Sequence, residues 1–355
     1  MDLIVGGGVV GLSIAWRLAR AGQDVTVIDP APASGASHAA AGMLAPVSEV
    51  AYTEEPLLRL GLAALERWPA FAAELEADSG LSVDYRAHGT LDVAFGADDL
   101  AALEELAAFM DKLGLPVEQL TGRECRRLEP MLSPSVRGGV LAGGDAWVDP
   151  RRVTAALLAA LETRRVPVVP RRATDLLDGA VRLADGEILT GERVVLAAGA
   201  WSGELADLPV RPVKGQIMRL RSPHPLLGRC VRGMVHGSPV YLVPRGDGEV
   251  VVGATQEELG FDTRVTAGGL YELLRDAREL VPGITELELG DVVAGLRPCT
   301  PDNLPLVGAA RQGLALATGH HRGGVLLAPL TTALLQGEEP ELAALCSPQR
   351  FSTAF

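Results

Sequence analysis

Cysteine, histidine, basic charge and long apolar runs are all in short supply, and each shortage closes off a class of function. The four cysteines, Cys125, Cys230, Cys299 and Cys346, form no CxxC and no framework spacing. A disulfide scaffold is therefore not expected, and reduced thiols in a cytoplasmic protein are. The six histidines include one adjacent pair, His320-His321, but no HxxxH or HExxH, so no metal is expected. Lysine and arginine number 32 against 45 acidic residues, a net charge of −13. That argues against nucleic acid, whose phosphates need basic clusters, and fits acidity that serves solubility. It leaves room for a small anionic substrate, because one or two buried arginines bind a carboxylate whatever the net charge. No apolar run of about 18 residues is present, so no membrane span is expected. No charged leader with a cleavage site opens the chain; its apolar start reads as a first strand.

What is present is 355 residues, 48% of them apolar and 22% charged. That suits an ordinary globular protein of one large or two ordinary domains. The strongest signal is at the start. Leu3 to Val5 reads as a buried strand, Gly6-x-Gly8-x-x-Gly11 follows, and a helix is predicted from Val9 to about Ala21. A second strand, Val25 to Ile28, ends in Asp29. This is the βαβ dinucleotide fingerprint in its proper context. Gly6 permits the turn, Gly8 lets a pyrophosphate approach the backbone, and Gly11 lets helix and strand pack closely. The helix N-terminus offers free N–H groups to phosphate, and Asp29 is placed to accept from a ribose diol. The charge on Asp29 disfavours NADP; the motif alone does not choose between FAD and NAD.

Further along, Ser34 to Pro46 is rich in small residues, suited to a flat cofactor lying against the backbone or to a linker; Ser37 could donate to a phosphate. A helical region spans Thr53 to Asp78, with Thr53 as N-cap and a break or kink at Pro69. Leu91 to Phe95 alternates as a strand, a helix ends near Leu113, and Thr121-x-x-Glu124 is a capping box. Asp149-Pro150 opens a helix to about Arg164. Glu192 to Ala198 is a buried strand whose tip, Gly199, is small enough to face a cofactor. Residues 211–292 alternate strongly as strands, with one helix over Ala267 to Leu280. Gly313 to Thr318 is a strand, residues 319–324 form a glycine turn, and Val325 to Leu335 is a helix. The pattern predicts an α/β protein. A dinucleotide-binding domain would comprise residues 1–80, 147–210 and 293–355. A substrate domain would comprise residues 81–146 and 211–292, built on an antiparallel or mixed sheet in an α+β arrangement.

Eight segments occur together in order: the opening motif, Ala39-Ala-Ala-Gly-Met-Leu-Ala-Pro46, Val195-Leu-Ala-Ala-Gly-Ala-Trp-Ser202, Pro212-Val-Lys-Gly-Gln216, Tyr241-Leu-Val-Pro-Arg245, Val252-Gly-Ala-Thr255, Gly295-Leu-Arg-Pro-Cys-Thr-Pro-Asp302 and Gly319-His-His-Arg-Gly-Gly-Val-Leu-Leu-Ala-Pro329. With them the chain resembles the D-amino-acid-oxidase-type flavoproteins, and within these the glycine oxidase branch of thiamine biosynthesis. The resemblance implies a Rossmann-like FAD-binding domain, non-covalent FAD, and oxidation of glycine and other small amines, sarcosine or small D-amino acids among them, with release of hydrogen peroxide. It implies a homo-oligomer, a dimer or tetramer. By position it places cofactor contacts on Val9, Val10, Asp29, Pro30, Ala36, Ser37, Ala41, Gly42, Met43 and Thr174. It places others on the turn His320, His321, Arg322, Gly323, Gly324, Val325 and Leu326. Substrate contacts fall on Tyr241, Arg297 and Arg322. Pro239 stands where some glycine oxidases carry a histidine, and His321 also departs from their pattern; both bear on substrate range.

Read for themselves, these side chains leave alternatives. Arg297 lies in an apolar context and suits a carboxylate, either a substrate's or that of an internal Asp or Glu. Arg322 could hold substrate, clamp a phosphate or be a surface charge. Tyr241 could close over substrate or only pack in its strand. His320 is a structural or charge-modulating histidine, Cys299 an unlinked thiol, and Lys214 a surface residue in preference to one that approaches substrate or flavin. The expected chemistry is hydride transfer from a neutral amine's α-carbon to flavin N5, which needs orientation rather than a general base. A D-amino-acid or sarcosine dehydrogenase passing electrons to an acceptor other than oxygen is the competing reading; a nucleotide-binding or regulatory protein with a dead flavin site and an NAD enzyme are the further alternatives.

Overall fold

Short apolar runs bounded by glycine turns build the first half of the molecule. The computed structural model describes residues 1–351. Asp2–Val5 lies between Val25–Ile28 and Arg193–Leu196, parallel to both. Leu314–Thr318 continues the parallel set, with Val168–Val169 on one edge and antiparallel Leu306–Arg311 on the other. Val25–Ile28 and Leu314–Thr318 are buried at every position, because helices or a second small sheet cover both faces. The first helix, Val9–Arg20, buries Leu12, Ile14, Ala15, Trp16 and Leu18 against this sheet and its neighbours. Each such large side chain is worth about 1.5–3 kcal/mol. Gly22, at φ +79°, follows the helix end, a conformation glycine takes without strain.

The second half is an eight-stranded sheet. Its order runs Glu288–Cys299, Arg211–Arg221, Glu249–Gly253, Ser238–Pro244, Cys230–Val235, Thr90–Ala94, Gly138–Ala142, Glu118–Thr121. All neighbours are antiparallel except Cys230–Val235 beside Thr90–Ala94. Alternation splits its residues into two faces. One, with Met218, Leu220, Val231, Leu242 and Val252, packs on the helix Ala267–Leu280 through Leu273, Ala277 and Leu280. The other, with Ile217, Cys230, Val243 and Val251, turns toward Ala41 and Trp147 of the first half. This second face also carries Arg219, Arg232, Tyr241, Arg245 and Arg297.

Several local expectations hold, and others do not. The capping box at Thr121 and Glu124 forms, and Asp149 accepts from the Arg151 N–H. The long helix starts at Glu55, not at Thr53, and no side chain caps it. It runs unbroken to Ser79 with Pro69 inside. Pro69 is exposed while Trp68 and Phe71 beside it are fully buried, so packing on one side holds the helix through the missing N–H on the other. Glu288–Cys299, foreseen only in part, pairs along the full length of Arg211–Arg221. Lys214 is fully buried rather than a surface residue, with Nζ 3.4 Å from Glu257 Oε2. No described helix is long and apolar enough to cross a membrane.

Candidate active site

The parallel strands end together at Val5, Ile28, Leu196 and Thr318, and a cavity of about 1400 Å³ opens beyond their carboxyl ends. Open α/β sheets bind ligands at this edge. The cavity extends from the glycine motif to the arginine-bearing face of the eight-stranded sheet.

At the first end, backbone forms the walls. A Cβ on Gly6 would stand 2.2 Å from Ala197 O, and one on Gly11 2.0 Å from Gly6 O. Gly11 thus lies under the turn and does not line the cavity; it lets the helix seat against the strand. Asp29 accepts from the N–H of Gly7 at 2.6 Å and of Ala31 at 2.7 Å. Ser37 Oγ accepts from the Val9 N–H at 2.9 Å, which leaves its hydroxyl proton free to donate. Gly6, Gly8, Val9, Val10, Asp29, Pro30, Ala36, Ser37, Thr174 and Gly199 all border the cavity.

The middle of the wall is the stretch Ala39–Met43, from which Ala41, Gly42 and Met43 face the cavity. Two buried arginines of the sheet hold it. Arg219 donates to Ala40 O at 3.3 Å and pairs with Glu249 at 2.5 Å. Arg245 donates to the carbonyls of Ala41 and Val148, and burial pushes its pKa down. Gly42, at φ +82°, has Val148 O where a Cβ would be, 2.2 Å away. Neither arginine was given a role from its sequence context, since Arg219 reads as a polar position in an alternating strand and Arg245 as the start of a hairpin turn.

At the far end stand the three expected substrate residues, and their surroundings differ. Arg297 donates to Thr255 O at 3.2 Å and Lys214 O at 3.4 Å. Among the described residues no carboxylate lies within 4 Å of its guanidinium, so the internal ion pair that its sequence context allowed is not formed. Tyr241 is beside it, and burial raises the phenol's pKa while Arg297 opposes the rise. Arg322 borders the same cavity but is already paired, 2.5 Å from Glu54 and 3.7 Å from Glu49. Burial alone would lower its pKa; the two glutamates outweigh that and raise it. This internal pairing went unforeseen, because Glu49 and Glu54 are some 270 residues away in sequence. Arg232, next to Tyr241 across the strand pair, was also missed; it is held by Asp92 at 3.2 Å and Ser48 O at 2.7 Å.

The C-terminal turn divides. His320, His321, Arg322, Gly324 and Val325 reach the cavity, whereas Gly323 and Leu326 line a separate pocket of about 30 Å³ beside Glu54. His320 is buried and bonded to Thr331 Oγ1 at 2.8 Å, a structural arrangement. Burial lowers both histidines to about 4, so both are neutral near pH 7. Cys299 is a free, buried thiol, pushed up to about 11 by burial.

This geometry can be compared with known proteins. The family described as FAD dependent oxidoreductase (DAO) matches residues 3–336. A glycine oxidase of Geobacillus kaustophilus is 35% identical over 94% of this chain and 90% of its own length. The crystal structure of glycine oxidase from that organism superposes with a TM-score of 0.89 at 34% identity, covering 98% of this chain and 97% of the other. A bifunctional ThiO/ThiG protein of Trichormus variabilis is 35% identical over 94% of this chain, which spans only about half, 51%, of that relative. An iminodiacetate oxidase from Chelativorans superposes with a TM-score of 0.85 at 27% identity, covering 98% of this chain and 96% of the other. The chain therefore belongs to the DAO family of FAD-dependent oxidoreductases.

Proposed function

We propose that the protein oxidises glycine and other small amines with oxygen as acceptor, in the thiazole branch of thiamine biosynthesis. The observation that carries this reading is Arg297. Among the described residues it is a guanidinium without a carboxylate partner, beside the Tyr241 hydroxyl, in the cavity that begins at the dinucleotide motif. A charged fork left open in such a place suits the carboxylate of a small amino acid. The relatives named glycine oxidase and ThiO/ThiG support the substrate and the pathway.

The residues fit FAD. Gly6, Gly8 and Gly42 present backbone at the cavity wall, the N-terminal turn of Val9–Arg20 has N–H groups beyond that of Val9 for the pyrophosphate, and Asp29 can accept from ribose. Ala41, Gly42, Met43, Gly199 and the turn from His320 to Val325 would contact the remainder, with Thr174 at the margin. In this reading FAD is held non-covalently, as the resemblance implies, and Cys299 stays an unlinked thiol. When bound, it supplies the hydride acceptor, N5, and returns the electrons to oxygen as hydrogen peroxide.

The protein's own groups orient. Arg297 and Tyr241 fix the carboxylate and so present the α-carbon. Neutral His321 adds no charge beside the amine. Arg322, held by Glu49 and Glu54, shapes the wall and adds little net positive charge. The overall reaction takes glycine, oxygen and water to glyoxylate, ammonia and hydrogen peroxide. The protein acts as a homo-oligomer in the cytoplasm.

The test is an anaerobic titration of the yellow protein with glycine, sarcosine, D-alanine and D-proline. Loss of the oxidised flavin spectrum with glycine is expected; no bleaching with any of the four would end the proposal. Peroxide release in air is also expected. Bleaching without peroxide would instead make the protein a dehydrogenase.

A further inference from the structure

Gly215 lies in the strand Arg211–Arg221 and Gly253 ends the strand Glu249–Gly253. Neither has a φ in the left-handed region that favours glycine. What calls for it is the space above them. A Cβ on Gly215 would stand 2.5 Å from Nη1 and 2.7 Å from Cζ of Arg297. A Cβ on Gly253 would stand 2.3 Å from Oη and 2.4 Å from Cζ of Tyr241. Gly253 is paired with Ile217, two residues beyond Gly215, so the two bare positions share the cavity face of the sheet. The guanidinium and the phenol therefore lie flat on backbone.

We propose that Gly215 and Gly253 are positioning residues for the substrate carboxylate. By leaving the sheet bare beneath Arg297 and Tyr241, they set the depth at which the carboxylate rests and hence where the α-carbon sits. The inference rests on the reading that Arg297 and Tyr241 hold that carboxylate. The surroundings make the seat rigid. Arg297 leans on the Thr255 carbonyl, and the Thr255 hydroxyl donates to Glu257 at 2.6 Å while accepting from the Gln216 N–H at 2.9 Å. The Gln216 amide also donates to Glu257 at 2.8 Å. A methyl on Gly215 meets this arrangement at its most movable point, the end of a long side chain. The strand keeps its place and the guanidinium is lifted by about 1 Å, a displacement that can cost about 100-fold at a reacting centre.

The experiment uses the FAD-loaded full chain and acetate, a carboxylate with no amine to oxidise, titrated against the oxidised flavin spectrum. Wild type, Gly215→Ala, Arg297→Ala and the double variant are compared. Gly215→Ala should weaken acetate tenfold or more, with unchanged FAD content and melting temperature, and should add nothing once Arg297 is alanine. If Arg297→Ala leaves acetate binding intact, the carboxylate reading fails and the proposal with it. If Arg297→Ala abolishes binding while Gly215→Ala matches wild type, or weakens binding equally in the Arg297→Ala background, the positioning role alone is overturned. Should Gly215→Ala not hold FAD, Gly253→Ala is tested in the same way against Tyr241→Phe.

Discussion

Two arginines of the same cavity have opposite standing. Among the described residues Arg297 rests on carbonyl oxygens with no acid at hand, and Arg322 has two. Removing each should therefore read out differently. Arg297→Ala should raise the glycine KM far more than it lowers kcat, losing about 2–4 kcal/mol of charge-assisted binding. Steady-state kinetics on glycine check this. Arg322→Ala should act first on the fold, since Glu54 and Glu49 lose a shared partner at side chains only 17% and 25% exposed. A loss of about 1–2 kcal/mol in denaturant unfolding is expected, with a smaller effect on KM than at Arg297. The family resemblance marks both arginines as candidates, Arg297 in an apolar strand and Arg322 in a glycine turn. The sequence does not reveal their partners, because an ion pair across some 270 residues leaves no local pattern.

At the scale of elements, the parts with strong local chemistry were legible. The glycine motif, the capping box at Thr121, the proline start at Pro150 and the helix Ala267–Leu280 all follow from residues a few positions apart. Where tertiary packing overrides local preference, the sequence misleads, and Pro69 is the clearest case. It interrupts the hydrogen bonding of Glu55–Ser79 on the exposed side, while Trp68 and Phe71 anchor the other. Pro69→Ala should restore one backbone bond without touching the core. A gain of about 1–2 kcal/mol is expected, after allowing for the freer unfolded chain, and a higher melting temperature would show it. The clamp of Arg219 and Arg245 on Ala40 and Ala41 was equally hidden, because it joins strands to a segment some 180 to 200 residues away.

For the molecule as a whole, buried titratable groups set the response to pH. His320 is depressed from 6.5 to about 4 by burial. Its neutral form is the folded one, so its contribution is complete above pH 6.5 and is lost as pH falls toward 4. By pH 5 that loss is about 2 kcal/mol. Asp145 acts in the other sense: burial raises it to about 6, so its cost to the fold grows as pH rises through that value. His320→Gln, which keeps a partner for Thr331, should be more stable at pH 5 relative to wild type than at pH 7.5, by about 2 kcal/mol. Parallel unfolding curves at the two pH values test it.

The strand Glu288–Cys299 ties these scales together. It is zipped to Arg211–Arg221 along its length, abuts Ala39 at Gly295, and ends with Cys299 bridged to His320 at the turn after Leu314–Thr318. Its ladder lies within the eight-stranded sheet, and the Cys299–His320 bridge joins it to the turn that follows the parallel sheet. Arg297, two residues before Cys299, is therefore tied to that turn through one continuous backbone.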